Sequence, residues 1–379
     1  MLINKYSYKL LMKIKTTFVS PQIDKNDSLK IIKSVLIKNS PNEGNLTRKL
    51  EDKISKMLNI KYVIATTSGT VAIFLALKAL KIKKGDEVLV PNITFAATIN
   101  AVNLTGAKPV LIDVNEENLL LDDKKIKKRI NKKTKAIIAV HISGRGSNIY
   151  KLKRIAKKYN LNLIEDAAEA FGSKIKKKFL GTVGDVGCFS FSPPKIITTG
   201  QGGAVVTNKF KLFKEILQLK NQGRVGITNG GEDKYKSVGY NFKFTNLQSA
   251  LGLSQLKNMN SRKKKLIENY LFYKKNLITN SKFKIFNFDL NKGEIPLWTD
   301  VYSSNRNKLY KYLLNCGVEC RLYWHPINYI EPYKKSFQGL EISKKLNQKL
   351  MWLPSSLNIK KSELSKICKL INDFNNKFK

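Results

Sequence analysis

Lys195 is one of many lysines, but its setting in FSFSPPKIITTGQGGAVVTN (189–208) is unlike the rest. Pro193 and Pro194 fix the backbone ahead of it, and TTGQGG lets the chain turn tightly behind it. A lysine meant for solvent needs no such frame. One that attacks a carbonyl must be held in place and must be able to lose its proton, which partial burial and neighbouring cations favour. Ser190 and Ser192 add hydroxyls suited to a phosphate. Upstream, LIEDAAEAFGS (163–173) puts Asp166 at the C-terminal end of an apolar run, where open α/β sheets bind ligands. A carboxylate there can hold a protonated ring nitrogen or a metal ion, or cap the next helix. Earlier still, ATTSGTVAIFLAL (65–77) reads as a strand, a short polar turn and a helix start. Ser68, Gly69 and Thr70 would turn free N–H groups and the positive end of the helix dipole toward an anion, or serve as an ordinary cap. No Gly-Lys-Ser/Thr follows, and no GxGxxG with a ribose-binding acid is present, so a nucleotide-binding fingerprint does not explain the turn. A lysine for a Schiff base, a carboxylate for a pyridinium and a phosphate cradle are together what a pyridoxal 5′-phosphate site requires.

The elements that must position these groups follow from hydrophobic patterning. Strands are predicted at 62–65, 87–91, 108–114, 135–142, 161–166, 187–192 and 203–208. Their continuous apolar runs suit a mainly parallel sheet buried on both faces. Helical patterns at 71–80 and 149–160 alternate with them, giving an α/β architecture. The stretch 246–277 reads as one long amphipathic helix. It leads to a smaller C-terminal α+β domain that holds GVECRLYWHP (317–326) and ends in the helical 361–374. The expected organisation is an N-terminal arm (1–30), a large domain (31–260) and a small domain (261–379).

The segments SGT, PNITFAAT, EDAAEAFGS, FSFSPPKIITTGQGGAVVTN and GYNFKFTNLQSALGLSQL, in this order, resemble the DegT/DnrJ/EryC1/StrS family of sugar aminotransferases. The resemblance runs from about Thr17 to the C-terminus. It implies the type I fold of pyridoxal phosphate enzymes. Lys195 matches the Schiff-base lysine and Asp166 the partner of the pyridine nitrogen. Gly69, Thr70 and Ser190 fall on phosphate-binding positions, with Ser68 beside them. Phe95 falls where an aromatic ring stacks on the cofactor, and Ala168 under its other face. Asn241 matches an asparagine that reaches a phosphate in the neighbouring subunit, which implies a homodimer with shared sites. Three positions depart from the pattern: Glu169 stands where many members carry Gln or His, Lys243 where many carry Arg, and Gly-Arg-Gly (144–146) replaces the usual YGxP. These leave cofactor use intact and open the substrate subclass. The implied reaction passes an amino group, from glutamate, to a nucleotide-linked 4-keto-6-deoxyhexose for cell-surface polysaccharide such as lipopolysaccharide O-antigen. Arg321 and His325 are candidates to line the nucleotide site. A dehydratase of the same family is a rival, but such members replace the lysine, typically with histidine.

The chain has 379 residues and a formal net charge of +42, which raises a second rival: a non-catalytic regulatory or nucleic-acid-binding relative. The lysine runs at 125–135, 173–179 and 261–266 are spread through every region rather than gathered in one arm, as a compositional bias would leave them. Neither a nucleic-acid partner nor a membrane span is expected. Cys188, Cys316, Cys320 and Cys368 form no CxxC pair, and His141 and His325 are the only histidines, so no metal centre is expected. The basic N-terminus lacks a long apolar core, Met12 is a second candidate start, and no stretch reaches the ~20 apolar residues of a span. A cytoplasmic enzyme is expected.

Overall fold

A computed structural model describes residues 15–225, 233–334 and 338–377. The large sheet contains β1 (Tyr62–Thr66), β2 (Glu87–Pro91), β3 (Lys108–Ile112), β4 (Thr134–Val140) and β5 (Asn162–Asp166). A short ribbon, β6 (Lys174–Ile175) and β7 (Lys178–Phe179), stands apart before the sheet resumes with β8 (Val186–Ser190) and β9 (Gly203–Thr207). The sheet order is β1-β9-β8-β5-β4-β2-β3. All adjacent pairs are parallel except those made by β9, which runs against both β8 and β1. The expected, mainly parallel sheet is present with one reversed strand.

This topology decides where chemistry can occur. Strands β1, β2, β4, β5 and β8 all point the same way, so the turns after them open on one edge. The N-terminal end of the reversed β9 lies on that edge too. The edge therefore collects Ser68, Phe95, Ser143, Asp166, Ser190 and Lys195 from segments far apart in the chain.

The strands are covered on both faces, as their unbroken apolar runs require. Helix Gly69–Ala79 is buried nearly all round, which suits its composition. Helix Ile149–Lys158 buries Ile149, Leu152, Ile155 and Ala156 and turns its lysines to solvent.

The region expected as one helix over 246–277 is two helices, Asn246–Lys257 and Met259–Asn276. Asn258 breaks the run, its N–H turning back to the carbonyl of Gln255. The reason lies in packing. The first helix buries Ser249 and Ser254 against helices Asn45–Leu58 and Lys25–Ile37, with Ser254 Oγ 2.8 Å from Ser28 Oγ and Ser249 Oγ 2.8 Å from Thr47 Oγ1. The second turns Tyr270 and Tyr273 toward the smaller sheet, and a straight helix cannot serve both directions.

That smaller sheet is antiparallel: β10 (Phe283–Ile285), β11 (Thr299–Ser303), β12 (Arg321–Leu322) and β13 (Leu350–Leu353), in the order β10-β11-β13-β12. It packs with helices Arg306–Asn315 and Lys361–Lys377 around Leu309, Leu313, Met351, Ile367 and Ile371. Residues 15–22 run back across the seam: Thr16 bridges Val318, the carbonyl of Phe18 accepts from Ser355 N, and that of Gln22 accepts from Arg262.

Candidate active site

Lys195 sits in the turn between β8 and β9. The turn is fixed by Thr199 N and Thr198 Oγ1, both donating to the carbonyl of Phe191, and by Arg262, which donates to the carbonyl of Ile196 at 3.0 Å. The Lys195 side chain is 12% exposed. Its Nζ donates to Glu169 Oε1 at 3.3 Å and lies 4.9 Å from the centre of the Trp298 ring. The lysine is reachable but held.

Asp166 ends β5. Its Oδ2 accepts from Thr98 Oγ1 at 2.7 Å and its Oδ1 from Ala168 N at 3.2 Å, yet among the described residues it forms no salt bridge. Burial pushes its carboxyl above the ordinary range, and the hydrogen bonds from Thr98 and Ala168 and the charge of Lys195 offset this only in part. A buried carboxylate short of a cation is what a protonated ring nitrogen would satisfy. Glu169 is likewise pushed up by burial, against the pull of Lys195 and of Ser143 N, which donates at 2.8 Å. Ala168 lies half-buried between the two acids.

Ser68 caps helix Gly69–Ala79, its Oγ accepting from Val71 N. Gly69 and Thr70, the first residues of that helix, have no intrahelical acceptor for their N–H groups. Ser190 closes against them so tightly that a Cβ on Gly69 would stand 2.8 Å from Ser190 Cβ. The cradle thus joins helix N–H groups, the Thr70 hydroxyl and the Ser190 hydroxyl, a donor set for a phosphate. Phe95 caps helix Ala96–Leu104 and is 51% exposed, with its ring 5.5 Å from that of Trp324. Lysine, buried acid, anion cradle and free aromatic face fit pyridoxal phosphate: Lys195 would hold its aldehyde carbon, Asp166 its nitrogen, Gly69, Thr70 and Ser190 its phosphate, and Phe95 one face of the ring.

Three expected residues lie outside this cluster. Asn241 is exposed and bridged to Asn221. Arg321 is exposed on β12, 6.0 Å from the Trp352 ring centre, and His325 is exposed with Nδ1 2.9 Å from Asn347 Oδ1. Four residues that the sequence reading passed over stand in the cluster or directly behind it: Thr98, Ser143, Trp298 and Trp324. Thr98 carried a signal, three residues past Phe95 on the same helix. Trp324 stands beside the candidate His325 and Ser143 beside Gly-Arg-Gly (144–146), whereas Trp298 comes from a segment that nothing in the sequence singles out.

A further acid that the sequence reading passed over, Glu165, supports the floor. It accepts from Gly181, Val183 and Gly184 N–H groups and from His141 Nε2 at 2.8 Å. Because His141 Nδ1 accepts from Ser147 N, the ring proton is on Nε2. Burial opposes the charge on Glu165, but these donors outweigh it and hold its carboxyl below the ordinary range.

A profile of the DegT/DnrJ/EryC1/StrS aminotransferase family matches residues 22–372. The chain belongs to this family. With the family come aminotransferase activity and pyridoxal phosphate as cofactor. The chain is 35% identical to the GDP-perosamine synthase of Escherichia coli O157:H7 over 338 residues, covering 88% of this chain and 91% of that protein. It is 34% identical to the UDP-4-amino-4,6-dideoxy-N-acetyl-beta-L-altrosamine transaminase of Campylobacter jejuni, covering 77% and 79%. Among solved structures it superposes on Helicobacter pylori PseC, an aminotransferase of pseudaminic acid biosynthesis, with a TM-score of 0.88 at 25% identity over 96% of this chain and 100% of that one.

Proposed function

We propose that this aminotransferase moves an amino group from glutamate to a nucleotide-linked 4-keto-6-deoxyhexose, for cell-surface polysaccharide, with Lys195 as the reactive amine. The observation that carries the reading is the Lys195 amine itself, 12% exposed and 3.3 Å from Glu169, on the sheet edge where Asp166 and the anion cradle converge. The names of the relatives supply the substrate class. A transaminase whose product is a 4-amino-4,6-dideoxy sugar acts on a 4-keto-6-deoxy precursor, and one relative is named for such a product on dTDP.

Bound pyridoxal phosphate supplies the electron sink for the reaction. The chain's residues do the rest. Asp166, held by Thr98, keeps a negative charge against the ring nitrogen. Gly69, Thr70 and Ser190 fix the phosphate end, and Phe95 the plane. Lys195 Nζ takes the proton from the donor's Cα as general base, in reach of Glu169. The exposed Asn241 completes the phosphate site of a second copy, so the working unit is a homodimer with shared sites, in the cytoplasm. Arg321 and His325 receive the nucleotide.

The test is a panel of GDP-, UDP- and dTDP-linked keto-sugars incubated with L-glutamate, read by the mass of the sugar product and by release of 2-oxoglutarate. One or more 4-keto-6-deoxy substrates should be aminated. Turnover of simple keto acids with none of the nucleotide sugars would overturn the reading.

A further inference from the structure

Behind Glu169 runs a chain of contacts that leaves the active-site cleft and ends in the smaller sheet. Glu169 turns one oxygen to Lys195 and is gripped through the other by Ser143 N at 2.8 Å. To aim its N–H there, Ser143 adopts a left-handed backbone (φ 53, ψ 16), which costs a non-glycine residue about 1 kcal/mol or more. Three contacts hold it. Its carbonyl accepts from Leu297 N at 3.0 Å, its Oγ donates to Asp300 Oδ1 at 2.7 Å, and Trp352 Nε1 donates to that Oγ at 3.2 Å. The next residue, Gly144, has φ 97 and lies so close to Ile295 that a Cβ would stand 1.9 Å from its carbonyl oxygen, so the loop cannot relax in that direction.

Asp300, on β11, is wholly buried, and its second oxygen takes NH1 of the buried Arg145. Arg145 in turn donates through Nε to the carbonyl of Asn118 and lies 4.6 Å over the Phe288 ring. A buried ion pair is poor evidence of stabilisation, because desolvation consumes most of its attraction. What it does supply is direction: an acceptor at one fixed point for the Ser143 hydroxyl.

We infer that Asp300, charge-balanced by Arg145, is a positioning residue for amino transfer: through Ser143 it sets the Glu169 carboxylate that orients Lys195. The inference rests on the reading that Lys195 is the reactive amine, and it ties the smaller sheet to the reacting lysine of the larger one.

Two substitutions separate positioning from support of the fold. Ser143→Gly removes the hydroxyl but keeps the N–H that reaches Glu169, and relief of the left-handed strain offsets part of the cost of the lost hydrogen bonds, so the apo-protein should still fold, as its melting transition will show. Asp300→Asn keeps an acceptor and removes the charge. The readout is the rate at which added pyridoxal phosphate links to the apo-protein, followed by absorbance at fixed pH, with the linked lysine then identified by borohydride trapping and peptide mass. Both variants should link at Lys195 about tenfold more slowly, equivalent to ~1.4 kcal/mol in the barrier. Should Asp300→Asn fail to fold, Ser143→Gly decides alone. Wild-type linking rates in Ser143→Gly would overturn the positioning role. Trapping of the wild-type protein at some other lysine would instead overturn the assignment of Lys195, so the two failures are distinguishable.

Discussion

Among the described residues Asp166 meets two neutral donors and forms no salt bridge, and burial raises its carboxyl; a protonated ring nitrogen would both complete and ionise it. Asp166→Asn keeps a hydrogen-bond acceptor for Thr98 but loses the charge. A loss of two pKa units on the ring is worth ~2.7 kcal/mol, so turnover should fall about a hundredfold while cofactor is still bound. Steady-state rates beside cofactor content check this, and near-normal turnover would contradict the role of Asp166. At this scale the sequence was readable where chemistry travels with its neighbours: Lys195 behind two prolines, Asp166 at a strand end, Gly69 and Thr70 at a helix start. It was silent on Trp298, which nothing nearby in the chain marks; Ser143 adjoins the unusual Gly-Arg-Gly of 144–146, but folding alone brings either residue to Lys195 and Glu169.

Among the elements, β1 shows how the edge of the large sheet is closed. Ala65 donates its N–H to Glu51 Oε1 at 2.7 Å, and its carbonyl takes the buried Lys220, which also pairs with Glu43. Burial pushes the Glu51 carboxyl from its ordinary 4.5 up to about 7, although Lys220 and the Ala65 N–H pull it down. The folded protein therefore keeps a proton that the unfolded chain has already released. That contribution is fully present below about pH 4.5 and is lost as pH rises to about 7. Glu51→Gln keeps the acceptor and never ionises. Between pH 5 and pH 8 the wild type should lose stability relative to this variant, by up to about 3 kcal/mol. Parallel denaturant-unfolding stabilities at the two pH values would contradict it. Strand positions were legible to within a residue or two because buried parallel strands are apolar throughout. The break at Asn258 was not, since both halves keep a helical pattern and only the change of packing partner divides them.

In the whole molecule Asn241 is exposed, where a second copy could reach it. If it serves the site of a second copy, Lys195→Ala and Asn241→Asp, each inactive alone, should rescue one another on mixing. In a mixed dimer one site carries both defects and the other neither. With half the dimers mixed, activity should approach about a quarter of wild type. Continued inactivity, with subunit exchange confirmed by mass, would place Asn241 in its own subunit's site or in none.

If Lys195 carries the chemistry, reduction will fix the cofactor to that residue. Purified enzyme loaded with pyridoxal phosphate is reduced with borohydride, digested, and mapped by mass. The visible band should vanish and the reduced cofactor should appear on the peptide that contains Lys195, with none retained by Lys195→Ala. A label on any other lysine, or equal labelling of the Lys195→Ala protein, would contradict it.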